Sequence, residues 1–219
     1  MGCTTNAIRR LVTDRFYQRV MRGTLLDVGA GNDPLYFYRG RFPAVTAWTV
    51  IDTVPAFGPS NGPEWIVDDA ADIPPGRTFD CIYSSHCLEH VDDPERVVTA
   101  WWRALNPGGH LHIMVPSWWT YERGMWPSAR NLDHRTAWVP CRYAGDNWPA
   151  HVRGVIQSIY NPCTFAKRDA SIGTDVGFTG PDAELVRLTT LDEGFNADAW
   201  DQTMNGTCES GIEIVIAKR

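Results

Sequence analysis

Leu25–Asp33 reads LLDVGAGND, and how these nine residues are read decides the fold. An apolar run stopped by glycine suits the end of a buried parallel strand. Gly29 and Gly31 then let the backbone turn tightly over a ligand. A dinucleotide fingerprint, G-x-G-x-x-G, needs a third glycine where this chain has Pro34. Charge separates the cases more sharply. Asp27 lies two residues before Gly29, and Asp33 lies two after Gly31. A carboxylate about 4 Å from a phosphate is repelled by roughly 4 kcal/mol at an effective dielectric of about 20. The loop therefore suits a ligand with no phosphate and a positive end. Taken alone, the same residues also fit a plain strand-ending turn.

Outward from the loop, strands and helices alternate. Residues 6–22, NAIRRLVTDRFYQRVMR, set Ile8, Leu11, Val12, Phe16 and Val20 near one helical face. TLLDVG reads as the first strand, PLYFYRGRF as a short helical piece, and AWTVID as the second strand, ending in Asp52. Segment 53–63, TVPAFGPSNGP, holds too much Pro and Gly for a long helix. EWIVDD and FDCIYSS read as strands three and four. DDPERVVTAWWRAL reads as a helix capped by Asp92 or Asp93, with Pro94 in its first turn. NPGG is expected as a turn and HLHIMVP as strand five. This order predicts an α/β fold with a parallel sheet. Residues 117–177 are rich in Trp, Arg, Asn and Pro with little periodicity, which suggests an irregular insertion over the C-terminal edge of the sheet. AELVRLTTLD and GIEIVIAKR are expected to close the chain as an antiparallel pair.

S-adenosylmethionine meets the loop's demand. It carries a sulfonium, an ammonium, a ribose diol and an adenine, and no phosphate. Asp52 follows Gly31 by 21 residues, where a carboxylate at a strand end accepts from ribose hydroxyls. Asp69, near the end of strand three, could accept from the adenine amino group while the Ala70 amide donates to a ring nitrogen.

LLDVGAGNDP, TVID, VDDAADIP, FDCIYSSHCLEHVDDP and RALNPGGHLHIMVP together resemble the class I S-adenosylmethionine-dependent methyltransferases, in particular small-molecule and glycan methylators. The resemblance covers residues 24–116 well and the terminal strands loosely. It implies a Rossmann-like sheet, mostly parallel with an antiparallel last strand, and a lid insertion. It makes residues 1–219 a single methyltransferase domain: 1–116 for the cofactor, 117–177 for the lid, 178–219 for the closing strands. By the same resemblance Asp27, Gly29 and Gly31 contact the methionine part, with Ala30 between the glycines. Asp52 and the adjoining Thr53 serve the ribose, and Asp69 and Ala70 the adenine. Ser84, Ser85 and His86 line the floor near the reactive methyl. The weak helix between strands two and three departs from the family pattern and leaves Trp65, Val54 or Phe57 to wall the adenine.

Composition excludes some partners. The net charge of −6 argues against a broad nucleic-acid footprint. No apolar run nears the ~20 residues that span a bilayer, and MGCTTNAIRRLVTDRF is too polar for a secretory signal. Gly2 with Asn6 only half-matches a myristoylation site. Six cysteines without a CxxC read as reduced thiols, hence a cytoplasmic protein.

Methyl transfer to a hydroxyl needs a base. His86, His90 and His134 are on offer. His86 and His90, four apart, could ligate a metal with Cys87 or Glu89 if helical; the family explains the stretch without metal, and none is expected. His90 is read as a hydrogen-bonder at a helix start. Tyr121–Trp138, YERGMWPSARNLDHRTAW, is expected as a substrate lid. In it His134 is the base, oriented by Asp133 or Glu122, and Tyr121, Trp126, Arg130 and Arg135 face an anionic or sugar-bearing acceptor. A self-packed lobe with solvated arginines is the competing reading. His110 and His112 share a strand face and are expected to pack under a helix. The functional expectation is O-methylation of a small molecule or glycan. Nucleic-acid base methylation is an alternative, although SSHCLE stands where Asn-Pro-Pro-Tyr would. A protein that binds S-adenosylmethionine without turnover is another, and a dehydrogenase is disfavoured by Asp27.

Overall fold

The computed structural model describes residues 8, 10–54, 62–117, 120–123, 128, 131–140, 156–159, 182–191 and 211–219. The strands are β1 (Gly23–Val28), β2 (Val45–Asp52), β3 (Glu64–Val67), β4 (Phe79–Ser85), β5 (Leu105–Pro116), β6 (Ala137–Pro140), β7 (Ile156–Ile159), β8 (Ala183–Leu191) and β9 (Gly211–Lys218). Seven form one sheet in the order β3-β2-β1-β4-β5-β9-β8, and β6 pairs with β7 in a second sheet. β1 to β5 are mutually parallel, and β9 runs antiparallel to both β5 and β8. This is the mostly parallel sheet with an antiparallel last strand that the sequence implied. The chain leaves β1 toward β2 and β3, then returns to place β4 on the other side. A crevice opens at such a switch point, outside the carboxyl ends of the strands.

Alternation along the strands builds two cores. Leu26, Val28, Ile82, Leu111, Ile113, Val115, Ile212, Ile214 and Ile216 face one side, with helix α2 (Pro94–Ala104). Leu25, Cys81, Tyr83 and Met114 face the other, with Leu11, Tyr17 and Met21 of the N-terminal segment. Asp93 caps α2 by accepting from the Arg96 amide at 2.9 Å, and Pro94 opens the helix. Trp101, fully buried, anchors the amphipathic face. At the other end Lys218 on β9 donates to the carbonyls of Trp102 and Leu105, each at 2.8 Å, where a helix leaves its acceptors unpaired.

Four local details differ from expectation. The helix expected over 6–22 breaks at Asp14, whose extended backbone and carboxylate cap a separate helix α1 (Arg15–Val20). Asp14 prefers to satisfy the Phe16 amide rather than to continue a helix. The NPGG turn is absorbed into β5 as an irregularity: Phe79 pairs with Leu105 but Cys81 with His110. Gly108, at φ +78°, and the Asn106 side chain on Asp80 accommodate the extra residues. The region after Pro116 is not wholly irregular, because β6 and β7 pair within it. PLYFYRGRF becomes a 3-10 stretch, Leu35–Arg41.

His112 does pack beneath the N-terminal segment, stacked on Tyr17 with centroids 5.4 Å apart. Both meet Glu213 of β9, which is fully buried. Tyr17 donates to it at 2.8 Å, His112 Nε2 lies 2.8 Å from its other oxygen, and Arg10 forms an ion pair with it. Burial alone would raise the Glu213 carboxyl, but His112, Arg10 and Tyr17 overcome it and hold the pKa at about 2. The carboxylate thus stabilises the fold above the unfolded value near 4.5, and that contribution is lost as pH falls through about 2. Glu213→Gln should cost on the order of 3 kcal/mol in urea unfolding at neutral pH, because it removes the buried charge around which His112, Arg10 and Tyr17 are gathered. The gap to the parent should narrow as pH falls from about 4.5 toward about 2.

Candidate active site

The carboxyl ends of β1, β2, β3 and β4 meet around two adjoining hollows of about 240 and 460 Å³, a volume suited to a nucleoside-sized ligand. Gly29, His86 and His90 line both. Gly29 sits at φ +68°, and a Cβ there would meet Cys87 Cβ and Sγ at 2.6 Å. Glycine at this position is a packing requirement as well as a conformational one. Gly31 also has a positive φ, +57°, but a Cβ there would meet nothing within 4 Å.

Carboxylates hold the loop. Asp52, at the end of β2, accepts from the Gly31 amide at 2.7 Å and from the Val54 amide at 3.0 Å. Each oxygen keeps a further lone pair for a ligand hydroxyl. Asp27, in β1, is buried and accepts from the Leu35 amide at 2.7 Å. Burial raises its pKa to about 7 against the Leu35 hydrogen bond, and the charges of Asp52 and Asp33 raise it further. Asp33 is also raised by burial, opposed by a hydrogen bond with Tyr38. Asp69 lies just beyond β3, bonded to the Ala71 amide at 3.0 Å and 3.6 Å from Arg96. Trp101 donates to the Ala70 carbonyl at 2.8 Å and so ties this turn to α2.

Asp27, Gly29, Ala30, Gly31, Asp33 and Ser85 line the smaller hollow; Asp52, Thr53, Asp69 and Ala70 line the larger. Ser84 points away instead. Its hydroxyl donates to the Val28 carbonyl at 3.2 Å inside the core, because adjacent strand residues face opposite sides. Tyr83, on the same face as Ser85 and in register with Asp27, takes its place in the wall. Trp65 and Val54, offered as an adenine wall, are not among the lining residues; Ile51, Val91 and Val97 are. Phe57 lies outside the described residues.

His86 follows β4 with φ +55°, a strained conformation for a residue with a Cβ. Its amide donates to the Met114 carbonyl at 2.9 Å. Its Nδ1 lies 3.1 Å from Glu89 Oε1. A carboxylate only accepts, so Nδ1 carries the proton and Nε2 is the basic nitrogen. Burial works to raise the Glu89 carboxyl, but His86, His90 and His134 bring it below the ordinary value. His90 is a hydrogen-bonder, but it closes the short 3-10 turn Leu88–His90 instead of starting a helix.

Of the residues expected to form a lid, Tyr121 is buried and stacks on His134, with centroids 5.5 Å apart. His134 Nδ1 lies 2.5 Å from Glu122 Oε1, so Glu122 orients it; Asp133 is exposed and contributes its backbone carbonyl to His90 instead. Neither His134 nor Tyr121 lines either hollow, and the Arg135 side chain is largely exposed. Trp126 and Arg130 lie outside the described residues. Sequence reading missed Ile8, Tyr83 and Arg96 in the walls. The place of Tyr83 depends on the β1–β4 register, and the other two on packing from distant elements.

A parallel sheet with this strand order, a positive-φ glycine loop and an acidic rim defines a class of nucleoside-binding α/β enzymes. Residues 5–163 match the family described as methyltransferase domain, and the chain belongs to that family. With it come the enzyme class and the cofactor, S-adenosylmethionine. Among curated proteins no sequence matches the chain. Solved structures share the fold at low identity. A S-adenosylmethionine-dependent methyltransferase from Mesorhizobium loti is 16% identical, with TM-score 0.54, over 99% of this chain and 98% of that one. The N-methyltransferase NodS from Bradyrhizobium japonicum is 15% identical, with TM-score 0.54, over 98% and 93%. The plantazolicin methyltransferase BpumL, solved with S-adenosylhomocysteine, is 13% identical, with TM-score 0.60, over 100% and 85%.

The two glycines should respond differently to alanine. Gly29→Ala should destabilise the chain by about 2–4 kcal/mol, combining backbone strain with displacement of Cys87. Gly31→Ala should cost about 1 kcal/mol, since only the backbone objects. Thermal unfolding of the two variants side by side measures the difference.

Proposed function

We propose that this enzyme transfers a methyl group from S-adenosylmethionine to a hydroxyl oxygen of a small molecule or glycan. One observation carries the reading: carboxylates dominate the rim of the hollows, with Asp27 and Asp33 on one side and Asp52, Asp68 and Asp69 on the other. Arg96 is the one Lys or Arg among the lining residues. That field favours a cationic ligand and disfavours a polyphosphate. Asp27 would face the methionine ammonium beside Gly29 and Gly31, Asp52 the ribose, and Asp69 with Ala70 the adenine edge.

His86 is our choice of proton acceptor, at the meeting of the two hollows and backed by Glu89. The hydroxyl oxygen attacks the methyl carbon in line, the carbon–sulfur bond breaks toward sulfur, and the proton passes to His86 Nε2. His134, the base expected from sequence, sits one layer behind His90, where it supports the wall. Residues 117–177 would cover the acceptor side. The contact of the Arg135 and Thr136 amides with the Glu89 carbonyl, at 2.6 and 3.2 Å, favours such a seat. The negative net charge keeps nucleic acid a weak candidate, and unpaired Cys81 and Cys87 suit a cytoplasmic setting.

Incubation with methyl-labelled donor and a metabolite or glycan extract should yield a labelled ether that resists mild base; label appearing only on amines or nucleic acid would overturn the oxygen acceptor. His86→Ala should lower kcat by about 10²–10⁴-fold with little change in donor affinity. Donor binding has its own pH signature. Ligand-free Asp27 keeps its proton up to about pH 7, and an ammonium favours the carboxylate, so binding below that pH must expel the proton. Affinity for S-adenosylhomocysteine should therefore weaken up to about tenfold per unit as pH falls below about 7, and level off above it. Calorimetry across this range should show the slope vanish in Asp27→Asn.

A further inference from the structure

Three of the chain's six histidines gather beside the hollows, and the proposed methyl transfer uses only one of them. Glu89, His90 and His134 each bring a ligand atom within 4.8 Å of the others. Glu89 Oε1 and His90 Nε2 are 3.9 Å apart. Ligands around an ion with bonds near 2.1 Å sit roughly 3–3.5 Å apart, so a small inward movement suffices.

The outer contacts point the same way. His90 Nδ1 lies 3.3 Å from the Asp133 carbonyl oxygen, which can only accept. His134 Nδ1 donates to Glu122 Oε1. Both rings are thus fixed as the tautomer whose Nε2 carries the lone pair. Metal-binding histidines are held this way, the other ring nitrogen donating to a carboxylate or carbonyl. Glu89 is itself braced by His86 at 3.1 Å.

A second observation is independent of this geometry. Among the described residues, Glu89 Oε2 and Glu122 Oε2 are buried with no hydrogen-bond partner. Two nearly inaccessible carboxylates each keep an oxygen without a partner here, an arrangement that a packed core does not tolerate without compensation. A divalent cation supplies that compensation.

We propose that Glu89, His90 and His134 bind one divalent transition-metal ion, of the zinc, manganese or cobalt type. Two imidazoles and one carboxylate select such ions over magnesium and calcium, which take all-oxygen sets. Three protein ligands leave open positions, as in catalytic sites. His90 lines both hollows, so those positions open on their shared end. There an acceptor hydroxyl could bind and lose its proton more readily. Ion binding rests on the residues alone; this catalytic use rests on the hydroxyl acceptor proposed above.

The tag-free chain, stripped with a chelator and dialysed, is titrated with ZnCl₂, MnCl₂ and CoCl₂ by calorimetry, with bound metal counted by elemental analysis. One ion per chain is expected for at least one metal, with Co²⁺ giving a visible ligand-field spectrum. His90→Ala and His134→Ala should weaken binding at least a hundredfold. Glu122→Gln, which touches no metal and preserves volume, should weaken it about 10–100-fold while the circular dichroism stays that of the parent. Absence of stoichiometric uptake of all three metals by the folded parent overturns the site. So does equal affinity in folded variants at Glu89, His90 and His134. Metal uptake with no methyl transfer would leave the site standing and remove only the proposed acceptor.

Discussion

The approach of Gly29 to Cys87 governs the carboxyl end of the sheet. β1 and β4 are parallel neighbours, and their chains separate at the switch point, one toward β2 and the other toward α2. The two departing loops press together, leaving no room for a single methyl group between them. With that contact go the left-handed turn of Gly29, the reach of the Gly31 amide to Asp52, and the placement of His86, the residue before Cys87, on the hollows. A crevice forms because the chains diverge, and it is shaped because they first touch.

Electrostatics then decides what the crevice accepts. Asp27 is buried within strand β1 and receives one backbone hydrogen bond, too little to keep it ionised as an ordinary surface aspartate would be. Its neighbours Asp33 and Asp52 deepen the penalty. In the proposed cofactor seat, a cationic ligand would offset this penalty by favouring the carboxylate. Stability and binding pull in opposite directions at one side chain, as is common where function requires a charge the core disfavours. The Glu213 group shows the contrary case: a carboxylate equally buried, but surrounded by His112, Tyr17 and Arg10, has its pKa depressed and holds the N-terminal segment onto the sheet.

The wall beside the glycine loop carries His86 and His90 among apolar residues, with Glu89 behind them. His86 takes a backbone conformation that residues with a Cβ seldom adopt, and the Met114 and Glu89 contacts fix it there. His134 arrives from a segment far along the chain, carried by β6 and seated by the Arg135 and Thr136 amides on the Glu89 carbonyl. Buried Glu122 orients it. Polar groups placed this deeply, two with carboxylate oxygens unpaired, are what the proposed metal ion would compensate.

Much of the fold was legible because it is local. The apolar run before Gly29, the Asp93–Pro94 start of α2, the tripartite rhythm of β1, β2 and β4, and the closing β8–β9 pair all rest on periodicity and turn chemistry within a few residues. The break at Asp14 and the irregularity in β5 were missed because each replaces a regular pattern with a side-chain hydrogen bond of similar strength. The acidic loop and the candidate cofactor residues Asp27, Gly29, Asp52 and Asp69 could be read from their spacing at strand ends. Which residues share a wall could not: Ser84 and Tyr83 exchange places by strand parity, and Ile8 and Arg96 enter from other elements. The sequence alone determined a strand-ending turn of a kind that repels phosphate, since charge and glycine content are properties of the chain itself. Only the tertiary structure decided that Glu89, His90 and His134 share one place, because residues more than forty positions apart meet by packing, and no local pattern encodes that.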